Sequence, residues 1–444
     1  QPNVPSSPGF RRATYMYGLQ LKPGEEGTLG CGLGQRMSTG SKGIARPTIE
    51  IANTGEKHII DGVEMEFVYV LDTEAPVEIM VWLPQLKAFC TAEDMTHNMH
   101  NLQTLRGAKV RNGLLWSKAI DTAIERYGDQ VEVSFSTHHW PTWGNERIVD
   151  YWEAQRDMYR YLHDQTLHLA NRGLTPDEIA EEMKLPASLA SQFNCRGYYG
   201  TLSHNVKAQY DLYFGWFNGN PAHLNPLPPS ELGSKYVEAI GGADKVLEVA
   251  KASYAKGEYR WVATLLDNLV FAEPENKEAR RLLADTYTQL GYQAESGPWR
   301  NFYLTGARDL FKKDVPYTSQ LINDGVLAQM DMGTLLDYCA IQLNGEKAAG
   351  KEAVININFT DTKEKVMLML NNGVLNHRLD SQDEKADLTL EIEKMDFIKL
   401  FFGRTDLQTL LKTNKVRTTG NTQAMDVICS AYEPADPNFK IVLP

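Results

Sequence analysis

Two short segments of the chain concentrate side chains that can bind a metal ion or an anion. They are AEDMTHNMHNLQTLRG, residues 92–107, and STHHWPTWGNER, residues 136–147. The candidate site residues in these segments are Glu93, His97, His100, His138, His139 and Arg106. Carboxylate and imidazole form a ligand set that zinc favours. A guanidinium beside them would bind an oxyanion such as sulfate or phosphate. The pattern therefore indicates a metal site that hydrolyses an anionic substrate.

The sequence around these residues favours a site over ordinary packing. The chain contains ten histidines, and any one of them alone is more often a core or surface residue than a ligand. Here, however, both segments follow apolar runs. VEIMVWLPQLKAFCTAED, residues 77–94, predicts two strands separated by a turn at Leu83-Pro84. VEVSFSTHHW, residues 131–140, predicts another strand with His138 just past its end. Strand ends are where α/β sheets present functional groups.

Several long segments resemble one enzyme family. They are RRATYMYGLQL, TEAPVE, TAEDMTHNMHNLQTLRGAKVRN, THHWPTWGNERI, RGYYGTLSHNVKAQY and GYQAESGPWRNFYLTGA. In these segments the chain resembles the bacterial alkylsulfatases, the branch of the metallo-β-lactamase superfamily that hydrolyses dodecyl sulfate. The resemblance extends over essentially all 444 residues.

The resemblance implies an α/β, all-α, α/β architecture. Residues 1–141 would form the C-terminal part of a metallo-β-lactamase αββα domain that holds two zinc ions. Residues 142–312 would form a helical dimerisation domain, which makes a homodimer the expected assembly. Residues 313–444 would form a sterol-carrier-like domain.

One family motif does not occur in this chain. The first metal motif of the family, a Thr-His-x-His-x-Asp-His run, has no counterpart in the sequence. We therefore expect the chain to be the C-terminal two-thirds of an alkylsulfatase, with the remaining segment upstream in a longer chain or supplied as a separate chain. Three zinc ligands carry over from the resemblance, namely Glu74, Glu93 and His138. Four others would lie on the segment that is not present.

The resemblance also implies roles around the metal ions. Glu93 would bridge the two zinc ions, and Arg106 would bind the sulfate. The neighbours of the sulfate would be Tyr17, Asn101 and a backbone amide near Gly34. A proton would be exchanged with the leaving group or with water by His100 or by His97, and spacing alone does not rank the two. Whether the carbon–oxygen or the sulfur–oxygen bond is cleaved stays open.

The composition argues against some classes of binding partner and some kinds of site. A net charge of −12 argues against binding to nucleic acid or to an anionic membrane. No apolar run is long enough to predict a membrane span. The five cysteines are scattered without a C-x-x-C pair, so they predict neither a disulfide framework nor a thiolate zinc site. The resemblance implies a periplasmic or secreted enzyme.

The N-terminal third reads as strands joined by turns. GTLGCGLGQRMSTGSKG, residues 27–43, is rich in glycine and predicts a mobile loop near a site. The pair Asp61-Gly62 predicts a tight hairpin whose second strand leads to Glu74.

The middle of the chain changes to a helical period. Residues 149–173 carry apolar residues at helical spacing, and His163 and His168 on this run are expected to pack rather than bind metal. Thr175 and Glu178 form a capping box that starts the next helix. Residues 257–291 have the length and the small and large packing positions of a tetratricopeptide-like helix pair.

An aromatic segment, residues 194–228, lies between these helices. Its rings and polar residues are Tyr198, Tyr199, Tyr210, Tyr213, Phe214, Trp216, Phe217, Arg196, His204 and Asn205. The rings are either plain core or the wall of a pocket for an alkyl chain, since ligand pockets are mostly apolar with a few polar anchors. In the second case His204 and Asn205 would line the pocket, with His204 within reach of the sulfate.

The last third predicts a separate unit of hairpins and helices. VININF alternates as a strand, and VMLMLNNGVLNHRL predicts a hairpin around Asn371-Asn372-Gly373. No catalytic constellation occurs here, and the Met-rich and Phe-rich faces favour binding of lipid-like molecules.

The sequence therefore predicts zinc-dependent hydrolysis of alkyl sulfate esters such as dodecyl sulfate to an alcohol and inorganic sulfate, as part of a longer enzyme. One alternative is a non-catalytic dimeric carrier of amphiphiles or lipids. Another is an esterase of the same superfamily that acts on phosphate or lactone substrates.

Overall fold

The computed structural model describes residues 7–35, 45, 47–311, 323–434, 436 and 438–444. Residues 36–43 of the predicted glycine-rich loop lie outside this part of the chain. Among the described residues, no helix is long and apolar enough to cross a membrane.

The first sheet has six strands in chain order. The elements of this part are α1 (Ser7–Met16), β1 (Lys57–Ile60), β2 (Val63–Leu71), β3 (Val77–Leu83), β4 (Ala88–Cys90), α2 (Gly113–Tyr127), β5 (Val133–Phe135) and β6 (Thr142–Trp143). Neighbouring strands are antiparallel except β4 and β5, which run parallel with Cys90 opposite Phe135. This parallel pair places the ends of β4 and β5 at the same edge of the sheet.

The predicted hairpin at Asp61-Gly62 is confirmed. β1 and β2 pair with Ile60 opposite Val63, so the loop consists of two residues. Both loop residues have positive φ, 51° for Asp61 and 80° for Gly62. This is the conformation that the right-handed twist of a two-residue hairpin requires and that Asp-Gly adopts at little cost.

Four further helices follow. They are α3 (Asn145–Ala170), α4 (Pro176–Glu182), α5 (Ala187–Ala190) and α6 (Leu202–Phe214). Of these, α3 packs against α2, β5 and β6. The predicted capping box is present at the start of α4, where Thr175 and Glu178 bond each other's backbone amides. His163 is buried in α3 and lies 2.8 Å from the hydroxyl of Tyr213, which agrees with a packing role.

The packing divides the chain differently from the predicted boundary at residue 141. One hydrophobic cluster extends from Val68 in β2 to Ala208 in α6 and includes Trp116 of α2 and Trp152 of α3. The helices α3 to α6 therefore share one core with the six-stranded sheet, because α3 contacts β5 and β6 and the other three helices pack against α3. A separate core begins only after α6.

The second core is mainly helical, with Val442 of the C-terminal segment packed into it. It is built from α7 (Pro229–Ile240), α8 (Ala243–Ala255), α9 (Tyr259–Ala272), α10 (Lys277–Gln293) and α11 (Gly297–Asp309). The predicted helix pair corresponds to α9 and α10, and Ala279 and Leu283 of α10 are fully buried at its contact. Helix α11 also packs against α1, which joins the N-terminus to the helical part.

The last unit contains a second sheet of five strands. Its elements are α12 (Asp324–Gln329), α13 (Met332–Ala340), α14 (Gly345–Ala348), β7 (Ala353–Phe359), β8 (Lys365–Asn371), β9 (Val374–Leu379), β10 (Leu388–Ile392), α15 (Lys394–Phe401), α16 (Leu407–Lys412), β11 (Val416–Gly420) and α17 (Gln423–Cys429). The strand order is β11-β10-β7-β8-β9, with only β7 and β10 parallel. The predicted hairpin is confirmed, with Asn372-Gly373 as its loop. The sterol-carrier-like assignment of this unit stays a prediction.

Candidate metal centre

Glu93 occupies the middle of a cluster of acidic and imidazole side chains. Its Oε1 lies 2.9 Å from Nε2 of His138 and 3.3 Å from Nε2 of His100. The strand register explains the first contact. Cys90 of β4 and Phe135 of β5 are paired, and Glu93 and His138 each follow three residues later. Parallel strands end at the same edge, so the two side chains meet there.

Glu74 completes the cluster from the end of β2. Donor atoms of Glu74, Glu93 and His100 all lie within 4.8 Å of one another, which is close enough for one metal ion. The three residues come from two loops at the same edge of the sheet, after β2 and after β4. Together with His138, they form the largest convergence of predicted site residues.

Hydrogen bonds set the charge state of this cluster. Burial alone would raise the pKa of Glu93, but its bonds with His100 and His138 lower that pKa well below the usual range. The same contact with Glu93 raises the pKa of His138. Glu93 is therefore an anion that holds imidazole rings around it.

A buried arginine that the sequence did not single out lies beneath the cluster. Arg111 forms a salt bridge with the carboxylate of Glu74. It also donates a hydrogen bond to the backbone carbonyl of Glu74. Its Nη1 donates to the carbonyl oxygen of Asn101 at 2.9 Å and lies 3.2 Å from Nδ1 of His100. In the sequence, Arg111 stands out only as a basic residue between Val110 and Asn112, the residue that caps α2. Arg111 thus holds Glu74, Asn101 and His100 in fixed relative positions.

Two further carboxyl groups are buried behind Glu93. Oε1 of Glu78 accepts the backbone N–H of Glu93 at 2.9 Å. Its Oε2 and both carboxyl oxygens of Asp94 are buried and have no hydrogen-bond partner among the described residues. Burial raises the pKa of Glu78 and of Asp94. A bound cation would favour the ionised form of these two carboxyls and give their unpartnered oxygens a partner.

The structure separates the two histidines that the sequence could not rank. His100 is buried beside Glu93, with its ring 4.7 Å from that of Tyr199. His97 instead stacks on Trp140 at 4.8 Å, and its Nε2 lies 3.0 Å from the hydroxyl of Thr142. Burial lowers the pKa of His97 to about 4, so this imidazole is neutral at pH 7. Of the two, only His100 contacts Glu93 in the part of the chain that the structure describes.

The predicted sulfate-binding residues lie around the cluster at different distances. Arg106 lines a cavity of about 100 Å³ together with Glu74 and Arg111. It forms no hydrogen bond or ion pair with any described residue. Asn101 accepts hydrogen bonds from Arg111 through its backbone carbonyl and its side-chain oxygen. Tyr17 is a neighbour of Tyr199, whose pKa is raised well above its usual value by burial and then by the charge of Tyr17.

Gly34 belongs to a loop that contacts the imidazole cluster. The carbonyl of Gly32 in this loop accepts bonds from Asn98 at 2.7 Å and from Nε2 of His139 at 3.2 Å. Gly34 itself accepts the N–H of Cys31 at 2.9 Å. Residues 27–35, the part of the predicted loop that the structure describes, therefore lie beside the site.

His204 and Asn205, at the start of α6, contact backbone. The side chain of Asn205 accepts the N–H of Leu102 at 2.8 Å and donates to the carbonyl of His100 at 2.9 Å. Nε2 of His204 lies 2.5 Å from the carbonyl of Gln103, and burial lowers the pKa of this histidine to about 4. Both residues therefore fix the segment that carries His100 and Asn101.

The aromatic segment is divided between core and surface. Tyr199 is buried against His100, whereas Tyr213, Phe214 and Trp216 at the end of α6 are exposed. Tyr198 lies 5.4 Å from Phe193, which in turn lies 6.0 Å from Trp140. Of the aromatic segment, Tyr199 therefore lies beside the site, and Tyr198 continues into the row through Phe193 to Trp140.

Two families match the chain, one after the other. Residues 175–313 match the family described as alkyl sulfatase dimerisation. Residues 320–444 match the family described as alkyl sulfatase C-terminal.

Individual relatives cover nearly the whole chain. A linear primary-alkylsulfatase of Pseudomonas sp. is 46% identical over 98% of this chain, and this chain spans 64% of that protein. An alkyl/aryl-sulfatase of Saccharomyces cerevisiae is 41% identical, with 98% of this chain and 67% of the relative covered. A solved structure of the stereoselective inverting sec-alkylsulfatase Pisa1 from Pseudomonas sp. superposes with a TM-score of 0.96 at 39% identity and covers 99% of this chain and 69% of that one. The chain belongs to the alkylsulfatase family.

Proposed function

We propose that the protein hydrolyses alkyl sulfate esters, such as dodecyl sulfate, to an alcohol and inorganic sulfate, and that it uses zinc. The observation that carries this proposal is the convergence of Glu74, Glu93 and His100 within 4.8 Å, with His138 on the same carboxylate. Membership of the alkylsulfatase family supplies the reaction type. The linear primary-alkylsulfatase relative favours primary alkyl sulfates as the substrate class.

The residues present fit a zinc ion. Glu74, Glu93 and His138 offer two carboxylates and one imidazole, which are typical zinc ligands. The unpartnered carboxyl oxygens of Glu78 and Asp94 are buried behind them, and a bound divalent cation would favour the ionised form of these carboxyls. Zinc acts as a Lewis acid that polarises an oxygen of the ester or of water.

His100 is the proposed proton-transfer residue. Its Nε2 lies 3.3 Å from Oε1 of Glu93, a carboxylate that can only accept, so Nε2 carries a proton in this contact. Nε2 then faces the cluster, where it can give its proton to the leaving alkoxide. His97 is held by Thr142 and Trp140 and does not face Glu93.

Arg106 and Arg111 have different proposed roles. Arg111 is occupied by Glu74 and Asn101, so it positions the metal ligand. Arg106 has no described partner and lines the cavity next to Glu74. It can therefore bind two sulfate oxygens through its planar fork. Tyr17, Asn101 and a backbone amide near Gly34 are the further proposed neighbours of that sulfate.

Assembly and location are part of the proposal. The family match over residues 175–313 supports a homodimer formed through the helical core. Light scattering should then report about 100 kDa for two chains of 50.0 kDa, and a monomer across micromolar dilution would contradict it. We also propose export to the periplasm or the medium, which fractionation of producing cells tests.

The reaction is tested by incubating the purified protein, with its intact mass and zinc content measured, with dodecyl sulfate. Release of sulfate that stops on zinc chelation and resumes on zinc addition is the expected result. Hydrolysis in ¹⁸O-water assigns the cleaved bond, because the label enters the alcohol on carbon–oxygen cleavage and sulfate on sulfur–oxygen cleavage. Binding of dodecyl sulfate without turnover by the zinc-loaded protein would instead support a carrier.

A further inference from the structure

A second cavity, of about 540 Å³, lies between helices α1, α10 and α11 and the C-terminal segment. Its charged lining comes from all four parts of this junction: Arg11, Glu275, Arg280, Arg308, Asp309 and Lys440. It shares no lining residue with the candidate metal centre.

Positive charge exceeds negative charge around this cavity. Four cationic side chains face two carboxylates, although the whole chain has a net charge of −12. One pair is fully neutralised, since Arg11 binds Asp309 at 2.6 Å. Asp309 also accepts a bond from Tyr15 at 2.9 Å, so its capacity to neutralise further cations is largely used.

Two arginines of the cavity are poorly neutralised. Arg308 has a side chain only 13% exposed and bonds Gln20 and the shared carboxylate of Asp309. Arg280 has a side chain 19% exposed, and its ion pair is with Glu275, which is 92% exposed. The Nε atoms of both arginines are buried and have no partner among the described residues. A largely buried guanidinium with unmet donors is costly unless an anion compensates it.

We propose that this cavity binds a doubly charged tetrahedral oxyanion, sulfate or phosphate, either free or as the head group of a small organic ester. Each guanidinium presents several N–H donors in a plane, which suits two oxygens of such an anion. A dianion would balance the excess of two positive charges. The volume lies within the range of ligand pockets and leaves room for an organic group beside the anion.

The test is isothermal titration of the full protein with sodium sulfate and with sodium phosphate at a constant ionic strength of about 0.15 M. Arg280→Gln removes one under-neutralised cation, and the matched control is Arg281→Gln, which changes the neighbouring exposed arginine on the same helix. We expect Arg280→Gln to weaken anion binding about tenfold or more, as for loss of a charge-assisted bond. The control should bind as the unchanged protein does.

Sulfate bound at the metal centre is distinguished by the same variants. It would still be detected in Arg280→Gln, so an unchanged isotherm in this variant overturns the proposal. If Arg280→Gln does not fold, the test uses Lys440→Gln, which changes an exposed lysine of the same cavity. We expect this variant to bind the anions more weakly, and unchanged binding would overturn the proposal. Titration with phenyl phosphate and phenyl sulfate distinguishes a free anion from the head group of an ester. Tighter binding of these esters than of the inorganic anions would identify an organic ester as the ligand. Absence of binding by all four anions also refutes the site.

Discussion

Arg111 forms a salt bridge with Glu74 directly beneath the candidate metal centre, and its side chain is only 8% exposed. The guanidinium also bonds the backbone of both Glu74 and Asn101. One buried cation therefore couples a proposed zinc ligand to the segment that carries His100. Neither coupling can be read from sequence spacing, since Glu74 and Arg111 are 37 residues apart.

Replacement of Arg111 tests this coupling. Arg111→Lys keeps the charge but cannot bond the side chain and the carbonyl of Glu74 together, so Glu74 should lose its fixed orientation. We expect zinc affinity to fall about 10- to 100-fold, as for loss of an outer-shell partner. Competition with a chromogenic chelator measures this affinity. Arg156→Lys, on an ion-paired arginine of α3, is the control and should bind zinc normally. Unchanged zinc affinity in Arg111→Lys would show that Glu74 needs no such support.

The roles of His100 and His138 separate by zinc content. His100→Gln should retain zinc and lose about 10²- to 10⁴-fold in kcat, because a general acid is removed. His138→Ala should lose zinc first and activity as a consequence. Metal analysis and dodecyl sulfate turnover are measured on the same samples, with exposed His168→Ala as the control. Parallel loss of zinc in both variants would make His100 a ligand and not the proton donor.

Arg106 should act on the substrate without affecting the metal. Arg106→Lys keeps the positive charge but loses the planar fork that binds two sulfate oxygens. We expect a loss of roughly 2 to 4 kcal/mol of transition-state stabilisation, or about thirty- to a thousand-fold in kcat/KM. Zinc content should stay unchanged. Near-normal turnover of dodecyl sulfate by this variant would end the sulfate-binding role and leave the metal assignment standing.

The stability of the first sheet should depend on pH through Glu66. Burial alone would raise the pKa of Glu66, but hydrogen bonds from Arg126 and Tyr127 more than offset this and lower that pKa below 4.5. Because the folded-state pKa is the lower one, the ionised carboxylate stabilises the fold at neutral pH. This contribution is lost as the pH falls through the acid range below that value.

Urea unfolding as a function of pH measures the effect. Glu66→Gln should lower the free energy of unfolding by about 1 to 3 kcal/mol at pH 7, since Arg126 and Tyr127 lose a charged acceptor. The difference from the unchanged protein should shrink towards acid pH. Glu64→Gln, on the less buried carboxylate two residues earlier in β2, is the control. A difference that does not vary with pH would contradict the role of the ionised carboxylate.

Local features of the fold were predictable because short-range physics sets them. Asp61-Gly62 and Asn372-Gly373 form the predicted tight turns, since both positions of each loop require positive φ. The capping box at Thr175 and Glu178 depends on residues three positions apart. The meeting of Glu93 and His138 also follows from strand ends, once β4 and β5 are known to be parallel neighbours.

Other features were decided only by tertiary packing. The sequence could not rank His97 and His100, because three residues of irregular backbone turn one ring towards Trp140 and the other towards Glu93. Nor could it show that Arg111 is buried against Glu74, or that α3 to α6 share a core with the six-stranded sheet beyond residue 141. The sequence alone determined the turns, the caps, the strand ends and the residue types of the site. The direction of each side chain and the sharing of a core depend on contacts between distant segments, and only the folded chain brings those segments together.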